Sequence, residues 1–411
     1  MKKHLLLFFV SFVLLNSFIA CKPKASLKEV IEEPTVQDNG SVTFGNTNCF
    51  QLTKDMGLGW NLGNTLDATN GSGLASETSW GQPLTTKTMI DGLAASGIKT
   101  IRIPVSWHNH ITDVTTLTIS PEWMNRVKTV VDWAIEDGMY VILNTHHDNY
   151  GSPVKMPAGS GYYPNNVNLT ESLRFIERVW TQIAQAFNNG YDEHLIFEAL
   201  NEPRPAGTTS EWWFSLEDSI SLEARDCLNQ MNQKAVDTIR ASGGNNTRRF
   251  IMVPALAASE NAATSPGFKM PKDIQGNAGR IILSLHAYSP YSFAMESPGE
   301  RTFTAAHKAE LNAIFEKLKT SFIDKGYTIV IGEYGATNKD NLSDRVAWFD
   351  YYIKTAKQYG IPCVLWDNGN IQPTLNDDST YDFSECFGYY NRTGQYWYFP
   401  DILNAMVNAV K

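Results

Sequence analysis

The chain has 411 residues, 43% hydrophobic and 12% aromatic, a globular composition of a size that allows one large domain or two ordinary ones. Its net charge of −9 argues against a polyanionic partner such as nucleic acid and makes a neutral polymer a better substrate than an acidic one. The aromatic content exceeds core needs, and in an exported protein it suits the flat faces of sugars.

Met1-Lys2-Lys3-His4 is basic, and residues 5–19 are apolar apart from Ser11, Asn16 and Ser17. The stretch is short for a membrane-spanning helix and fits a signal peptide over residues 1–20. It ends Ser17-Phe18-Ile19-Ala20-Cys21, which resembles a bacterial lipobox with Phe18 where leucine is usual. Cys21 is therefore expected to be lipidated, tying the protein to the cell envelope at the outer membrane or cell surface. Soluble secretion is the alternative. Residues 21–48 are polar and aperiodic and read as a flexible tether. Cys49, Cys227, Cys363 and Cys386 have no CxxC spacing, so no zinc is expected, and disulfides and buried thiols both stay open.

From 49 to 411 there is no linker and no internal repeat, which predicts a single domain, expected as a monomer. Eight apolar or β-branched runs follow in order: 57–61, 100–105, 140–144, 195–200, 249–255, 281–285, 328–331 and 363–366. Helically spaced faces separate them, such as Val127, Val130, Val131 and Ala134, or Ile176, Val179, Trp180 and Ile183. This alternation predicts an α/β fold of parallel strands with right-handed crossovers, either a closed (β/α)8 TIM barrel or an open sheet.

Polar residues at the C-terminal ends of the runs favour the barrel. Arg102 lies on the second run, and His146-His147-Asp148 ends the third. Asn201-Glu202 ends the fourth, His286 and Tyr288 the sixth, Glu333-Tyr334 the seventh, and Trp366-Asp367-Asn368 the eighth. In a barrel all of them meet on one face, where barrel enzymes keep their sites. Glu202 and Glu333, on facing strands, form the pair that glycosidic cleavage needs: an acid to protonate the leaving oxygen and a carboxylate to attack the anomeric carbon or activate water.

The surrounding groups suit that chemistry. Arg102 and Tyr288 can keep a nucleophilic carboxylate ionised. Asn201 can bind a sugar hydroxyl, and Trp366 offers an apolar plate. Neighbouring strand residues point to opposite faces, so only one of His146 and His147 is expected to face the centre, as a polar contact rather than a metal ligand. Asn61, Trp80, His147, Trp366 and Asn368 are expected to touch substrate. Trp107, Trp212 and Trp213 are further stacking candidates, with core packing as the alternative. Tyr162 and Tyr163 are expected at the tip of a loop over 150–168.

GLGWNLGNTLDA, TIRIPVSWHNH, VVDWAIEDGMYVILNTHHD, FEALNEPR, SLHAYSPYSF, GEYG and VLWDNG together resemble glycoside hydrolase family 5, most of all its subfamily 4 of bacterial endoglucanases and xyloglucanases. The resemblance covers about Phe50 to Lys411. It implies a (β/α)8 barrel, no cofactor, and a retaining double displacement, with Glu202 as acid/base and Glu333 as nucleophile. It also implies Arg102, His146, Asn201, His286, Tyr288 and Trp366 around them. Retention implies carboxyl groups roughly 5 Å apart, against more than ~6.5 Å for inversion. The expected activity is endo-hydrolysis of β-1,4-glucosidic bonds in cellulose-like chains, mixed-linkage glucan or xyloglucan. A mannanase or xylanase on the same scaffold is the alternative, or a non-catalytic glycan-binding lipoprotein.

Overall fold

The computed structural model describes residues 41–277 and 279–411, so the expected signal peptide, Cys21 and most of the expected tether lie outside the described residues. Eight parallel strands close into a barrel: β1 (Gly59–Asn61), β2 (Thr100–Ile103), β3 (Tyr140–Asn144), β4 (Leu195–Glu198), β5 (Ile251–Pro254), β6 (Ile281–His286), β7 (Thr328–Tyr334) and β8 (Cys363–Leu365). They follow chain order around the ring, and β8 pairs back onto β1. The helix after each strand is α1 (Lys87–Ala95), α2 (Pro121–Glu136), α3 (Leu169–Ala186), α4 (Ser219–Ala241), α5 (Glu260–Thr264), α6 (Ala305–Ser321), α7 (Leu342–Gln358) and α8 (Pro400–Val410).

The strands read as continuous apolar runs because both faces are covered. Val141, Leu143, Leu195, Phe197, Ile251, Val253 and Leu283 pack outward in the large core against the helices. Ile142, Ile196, Met252, Ile282, Val330 and Val364 cluster separately, as the two-residue period of a strand requires for an inward set. The expected helical faces are the buried ones. On α2, capped by Ser120 and opened by Pro121, Val127, Val130, Val131 and Ala134 are buried; on α3, Ile176, Val179, Trp180 and Ile183 are.

The inward cluster is sealed by Phe44, Cys49, Leu52 and Met56, from a short helix (Cys49–Asp55) and the segment before it. This corrects the expected tether boundary. Val42 donates its backbone N–H to Asn189, Gly45 donates to Glu193, and Arg248 binds the carbonyls of Phe44 and Gly45. The packed domain therefore begins by Val42 rather than at 49.

One further expectation changes, and the open question of the cysteines is answered. Tyr162 and Tyr163 do not reach out from a loop tip: both are buried, and Tyr163 donates its hydroxyl to the Ala206 carbonyl at 2.8 Å. Cys49, Cys227, Cys363 and Cys386 are buried free thiols, and burial pushes the Cys49 thiol up to about 12. Among the described residues no helix is long and apolar enough to cross a membrane.

Candidate active site

Two residues beyond the inward apolar cluster, the barrel interior turns polar. Ile142 gives way to Asn144, Ile196 to Glu198 and Ile282 to Ser284, with Asn61 and Arg102 beside them, all fully buried. Arg102 organises this layer. Its Nε donates to Glu198 Oε2 at 2.8 Å, and Nη1 donates to Asn61 Oδ1 at 2.9 Å and Glu333 Oε1 at 2.7 Å. Nη2 donates to Asn201 Oδ1 at 2.6 Å. Glu198 also accepts from Asn144 at 2.9 Å and from the Ser284 hydroxyl. Burial opposes the Arg102 charge, but the Glu198 and Glu333 carboxylates outweigh it and hold the guanidinium above its ordinary range.

Glu333 reaches the interior through an irregularity in β7. Leu285 and His286 of β6 pair with Ile331 and Glu333, and Cys363 and Leu365 of β8 pair with Ile331 and Tyr334. β7 thus carries one extra residue against both neighbours, a bulge at Gly332. A Cβ on Gly332 would lie 3.4 Å from Glu198, His286 and Ser284 atoms, so this position also faces inward. Val330, Gly332 and Glu333 face the interior, while Tyr334 packs outward against Trp348 and Tyr352. Strict alternation from Val330 would have turned Glu333 toward the helices.

Glu202 lies four residues beyond Glu198 on the loop leaving β4, with its side chain 18% exposed. His286 Nδ1 stands 2.6 Å from Glu202 Oε1 and 3.5 Å from Glu333 Oε2. One oxygen of each carboxylate and the His286 nitrogen all lie within 4.8 Å of one another. The Tyr288 hydroxyl donates to Glu333 Oε2 at 2.8 Å.

Burial pushes the Glu333 carboxyl up, against His286 and Arg102. Burial also works to raise Glu202, but the His286 hydrogen bond together with the His286, Arg204 and Arg102 charges outweighs it, and its carboxyl falls below the ordinary range. His286 is raised: burial opposes its charge, and Glu333 and Glu202 overcome that. His146, shut in by burial, is held well below the usual imidazole range and is neutral.

The other expected residues divide. Trp366 lies parallel to His146, ring centres 5.9 Å apart, and Trp80 tilts against His147 at 5.2 Å. A Cβ on Gly63 would come within 2.8 Å of the Trp366 ring and the Asp367 carbonyl, so glycine is what lets β1 pass beneath this plate. His146 and His147 do not diverge as expected: β3 ends at Asn144, and atoms of both rings lie within 4.8 Å of one another and of an Asp67 oxygen. His146 is bonded to Asn144 at 3.1 Å, and Asp67 accepts the backbone N–H groups of Asn64 and Thr65.

Asn61 and Asn368 are not placed as expected. Asn61 lies beneath the site, its amide donating to the carbonyls of Gly332 and Leu365. Asn368 is buried and donates to the Glu385 carbonyl and carboxylate, bracing a neighbouring loop. Trp107 is core, its indole N–H bonded to the Asn144 carbonyl, whereas Trp212 and Trp213 are 53% and 75% exposed. Sequence reading missed Glu198, Asn144 and Ser284. Their signal was a polar residue in phase with the inward apolar ones, two residues after Ile142, Ile196 and Ile282.

Comparison with known proteins gives a consistent answer. The family model described as cellulase (glycosyl hydrolase family 5) matches residues 65–372. Endoglucanase B of Ruminococcus albus is 40% identical over 91% of this chain and 84% of its own length. Endoglucanase A of Clostridium longisporum is 41% identical over 88% of this chain, and the match spans 66% of that relative. Among solved structures, a family 5 lichenase variant from Caldicellulosiruptor sp. F32 in complex with cellotetraose superposes with a TM-score of 0.81 at 40% identity, covering 90% of this chain and 98% of that one. A broad-specificity subfamily 4 endoglucanase from Ruminococcus champanellensis with bound cellotriose gives 0.80 at 38% identity, covering 89% and 100%. The chain is a glycoside hydrolase of the endoglucanase type and belongs to glycosyl hydrolase family 5.

Proposed function

We propose that this protein cuts internal β-1,4-glucosidic bonds of neutral β-glucans (cellulose-like chains, mixed-linkage glucan or xyloglucan) by a retaining double displacement, with Glu333 as nucleophile and Glu202 as acid/base. The observation that carries this reading is the close approach of the two carboxylates, with oxygens within 4.8 Å of one another. That spacing suits direct attack and leaves no room for the intervening water of an inverting enzyme.

In the first step a Glu333 oxygen bonds to the anomeric carbon as the bond to the leaving sugar oxygen breaks and Glu202 gives that oxygen a proton. Arg102 and Tyr288 hold Glu333 in attacking position through its two oxygens. In the free protein Glu202 is lowered and His286 raised, each toward its charged form against the cost of burial. A sugar that fills the mouth and displaces water favours the uncharged pair, imidazole with carboxylic acid, because buried charge is costly. The acid is thereby loaded as substrate arrives. Once Glu333 is glycosylated its charge is gone. Glu202, now a carboxylate, takes a proton from water, and that water releases the sugar with its configuration retained.

The relatives named endoglucanase and the cellotetraose- and cellotriose-bound neighbours support the substrate class. Export, with a lipid on Cys21, rests on residues 1–21 alone, and a monomeric working state is part of the proposal. The test is hydrolysis by Glu202→Ala and Glu333→Ala over barley glucan, xyloglucan, carboxymethylcellulose, mannan and xylan. Both variants should lose nearly all turnover while keeping the fold, and azide should restore Glu333→Ala with inverted products. Near-normal turnover by either variant, or restored products of retained configuration, rules the assignment out.

A further inference from the structure

The side-chain amide of Asn144 can face only one way. It stands on the last residue of β3, opposite Glu198 of β4 in the strand register. Its Oδ1 accepts the Val105 backbone N–H at 3.1 Å, and only the oxygen end of an amide can meet such a donor. Its Nδ2 lies 2.9 Å from Glu198 Oε2 and 3.1 Å from His146 Nδ1. The Glu198 carboxylate also accepts from Arg102 Nε and from the Ser284 hydroxyl, so it too calls for a donor at this point. Two neighbours on different strands therefore fix the same orientation, oxygen toward Val105 and nitrogen toward Glu198. An amide nitrogen carries two hydrogens. One goes to Glu198, and the other points at His146.

That contact places the hydrogen on the His146 ring. Facing an N–H donor, Nδ1 must be the bare nitrogen, so the neutral imidazole carries its hydrogen on Nε2. A second proton on Nδ1 would face the amide hydrogen. Burial, with the His147 and Arg102 charges, disfavours the imidazolium in the same direction. Among the described residues Nε2 bonds to no protein group, and it is not sealed away from the cleft. His146, His147 and Asp67 each have a possible ligand atom within 4.8 Å of the others, a spacing that would suit a metal ion. A metal-binding imidazole, however, gives its far N–H to an acceptor. His146 meets a donor there, so the trio suits a hydroxyl, which both gives and takes a hydrogen.

We propose that Asn144 is a positioning residue of the reaction, locking His146 as the Nε2–H tautomer so that the ring acts only as a donor to a hydroxyl of the bound sugar. The proposal rests on the reading of this cleft as a β-glucan site. A hydroxyl that accepts from Nε2 is left to donate elsewhere, and an Asp67 oxygen lies within 4.8 Å of a His146 ring nitrogen. Because Nδ1 is closed to a second proton, the donor does not titrate as pH falls. The charged groups around the ring are the adjacent His147, Arg102 from β2, His286 from β6, Arg204 from the loop after β4, Asp67 from the loop after β1, and Glu198 across the amide.

The test reads the tautomer by nitrogen NMR of the intact protein, with the His146 signals assigned by their loss in His146→Gln. In the wild type Nδ1 should show the shift of a bare nitrogen and Nε2 that of an N–H, unchanged from pH 5 to 8. Asn144→Asp keeps the size but has no hydrogen for His146: as a carboxylate it has none, and as an acid its single one goes to Glu198. The ring hydrogen should then move to Nδ1, and kcat/KM on cellohexaose at pH 8 should fall about tenfold, the worth of one hydrogen bond. At pH 5 the ring of this variant can take a second proton and recover its Nε2–H, so the deficit should shrink. A loss of structure alone would be equal at both pH values. A wild-type ring with its hydrogen on Nδ1, or one that titrates in this range, overturns the proposal even if Asn144→Asp does not fold. So does an Asn144→Asp ring that keeps its hydrogen on Nε2, or a moved hydrogen with kcat/KM unchanged. If Glu202→Ala and Glu333→Ala keep their turnover while His146 behaves as stated, the assignment of the two glutamates falls and the tautomer lock stands.

Discussion

His286 Nδ1 lies 2.6 Å from Glu202 Oε1, a distance at which the buried imidazole and the half-buried carboxyl are hydrogen-bonded and their ionisations are linked. The shifts are opposite in sign: His286 is raised above 6.5 and Glu202 is lowered below 4.5. The histidine's contribution to stability is complete below pH 6.5 and is lost as pH rises through its folded value. The glutamate's contribution is present above pH 4.5 and is lost as pH falls through its folded value. Their contact should stabilise the protein most between those two values. Melting temperatures of wild type and His286→Gln, measured from pH 3 to 9, should differ most in that window. A constant difference across the range would show that the two ionisations are not linked.

The same pair sets the alkaline limb of activity. Above the raised value of His286 the pair has no proton to give, so kcat/KM on unactivated glucan should fall there. His286→Asn removes the cation beside Glu202 and lets its carboxyl rise. The limb should then report Glu202 alone, with turnover reduced about a hundredfold, as for loss of a positioned donor. A pH–rate profile on barley glucan checks this.

Tyr288→Phe removes the hydroxyl that donates to Glu333 Oε2. That bond favours the carboxylate, so without it the Glu333 carboxyl rises further and the acidic limb of kcat/KM should move to higher pH. Loss of a donor aimed at a reacting oxygen should also cost about 10²-fold in kcat. An acidic limb that stays in place would show that the tyrosine does not govern the ionisation of Glu333.

Arg102 is fully buried between Glu198 and Glu333 and balances their charges. Arg102→Met leaves two carboxylates facing each other in a closed space and should destabilise the fold by about 3–5 kcal/mol, as for other broken buried pairs. Glu198→Gln keeps the shape and most of the hydrogen bonds and should cost less. Urea unfolding of the two variants gives the ranking.

Gly63→Ala places a methyl group against Trp366 and the Asp367 carbonyl. Overpacking of this kind costs about 1–3 kcal/mol. The Trp366 ring should tilt off its parallel position over His146, raising KM more than it lowers kcat. Steady-state kinetics with tryptophan fluorescence as a check on the ring would show it.

Much of this arrangement is legible in the sequence because parallel strands buried on both faces read as apolar runs, and a barrel gathers the ends of all eight. Glu202, His286 and Tyr288 stand where those runs stop. Glu198 was hidden inside its run and Asn144 at the close of its own, where a polar residue looks like an interruption or a stop until its phase with Ile196 and Ile142 is counted. Asn61 and Asn368 stand near strand ends as substrate ligands would, but their amides face neighbouring carbonyls. Sequence position does not reveal which way a short side chain turns once its strand has ended. The same holds for His146 and His147, whose shared side follows from β3 having ended at Asn144, before either of them.

The extra residue at Gly332 has a consequence for anyone who rebuilds this scaffold. Because β7 is longer by one than both its neighbours, the direction in which Glu333 points is set by counting along the backbone and not by its chemistry. Splices made after Tyr334 inherit the correct orientation whatever loop is attached. Flattening the bulge while keeping every residue would turn the carboxylate out among the helices, whereas removing the extra residue together with the bulge would leave it facing inward. Loop lengths on this face can drift during evolution or design, while the bulge and the residue count of this short stretch must change together.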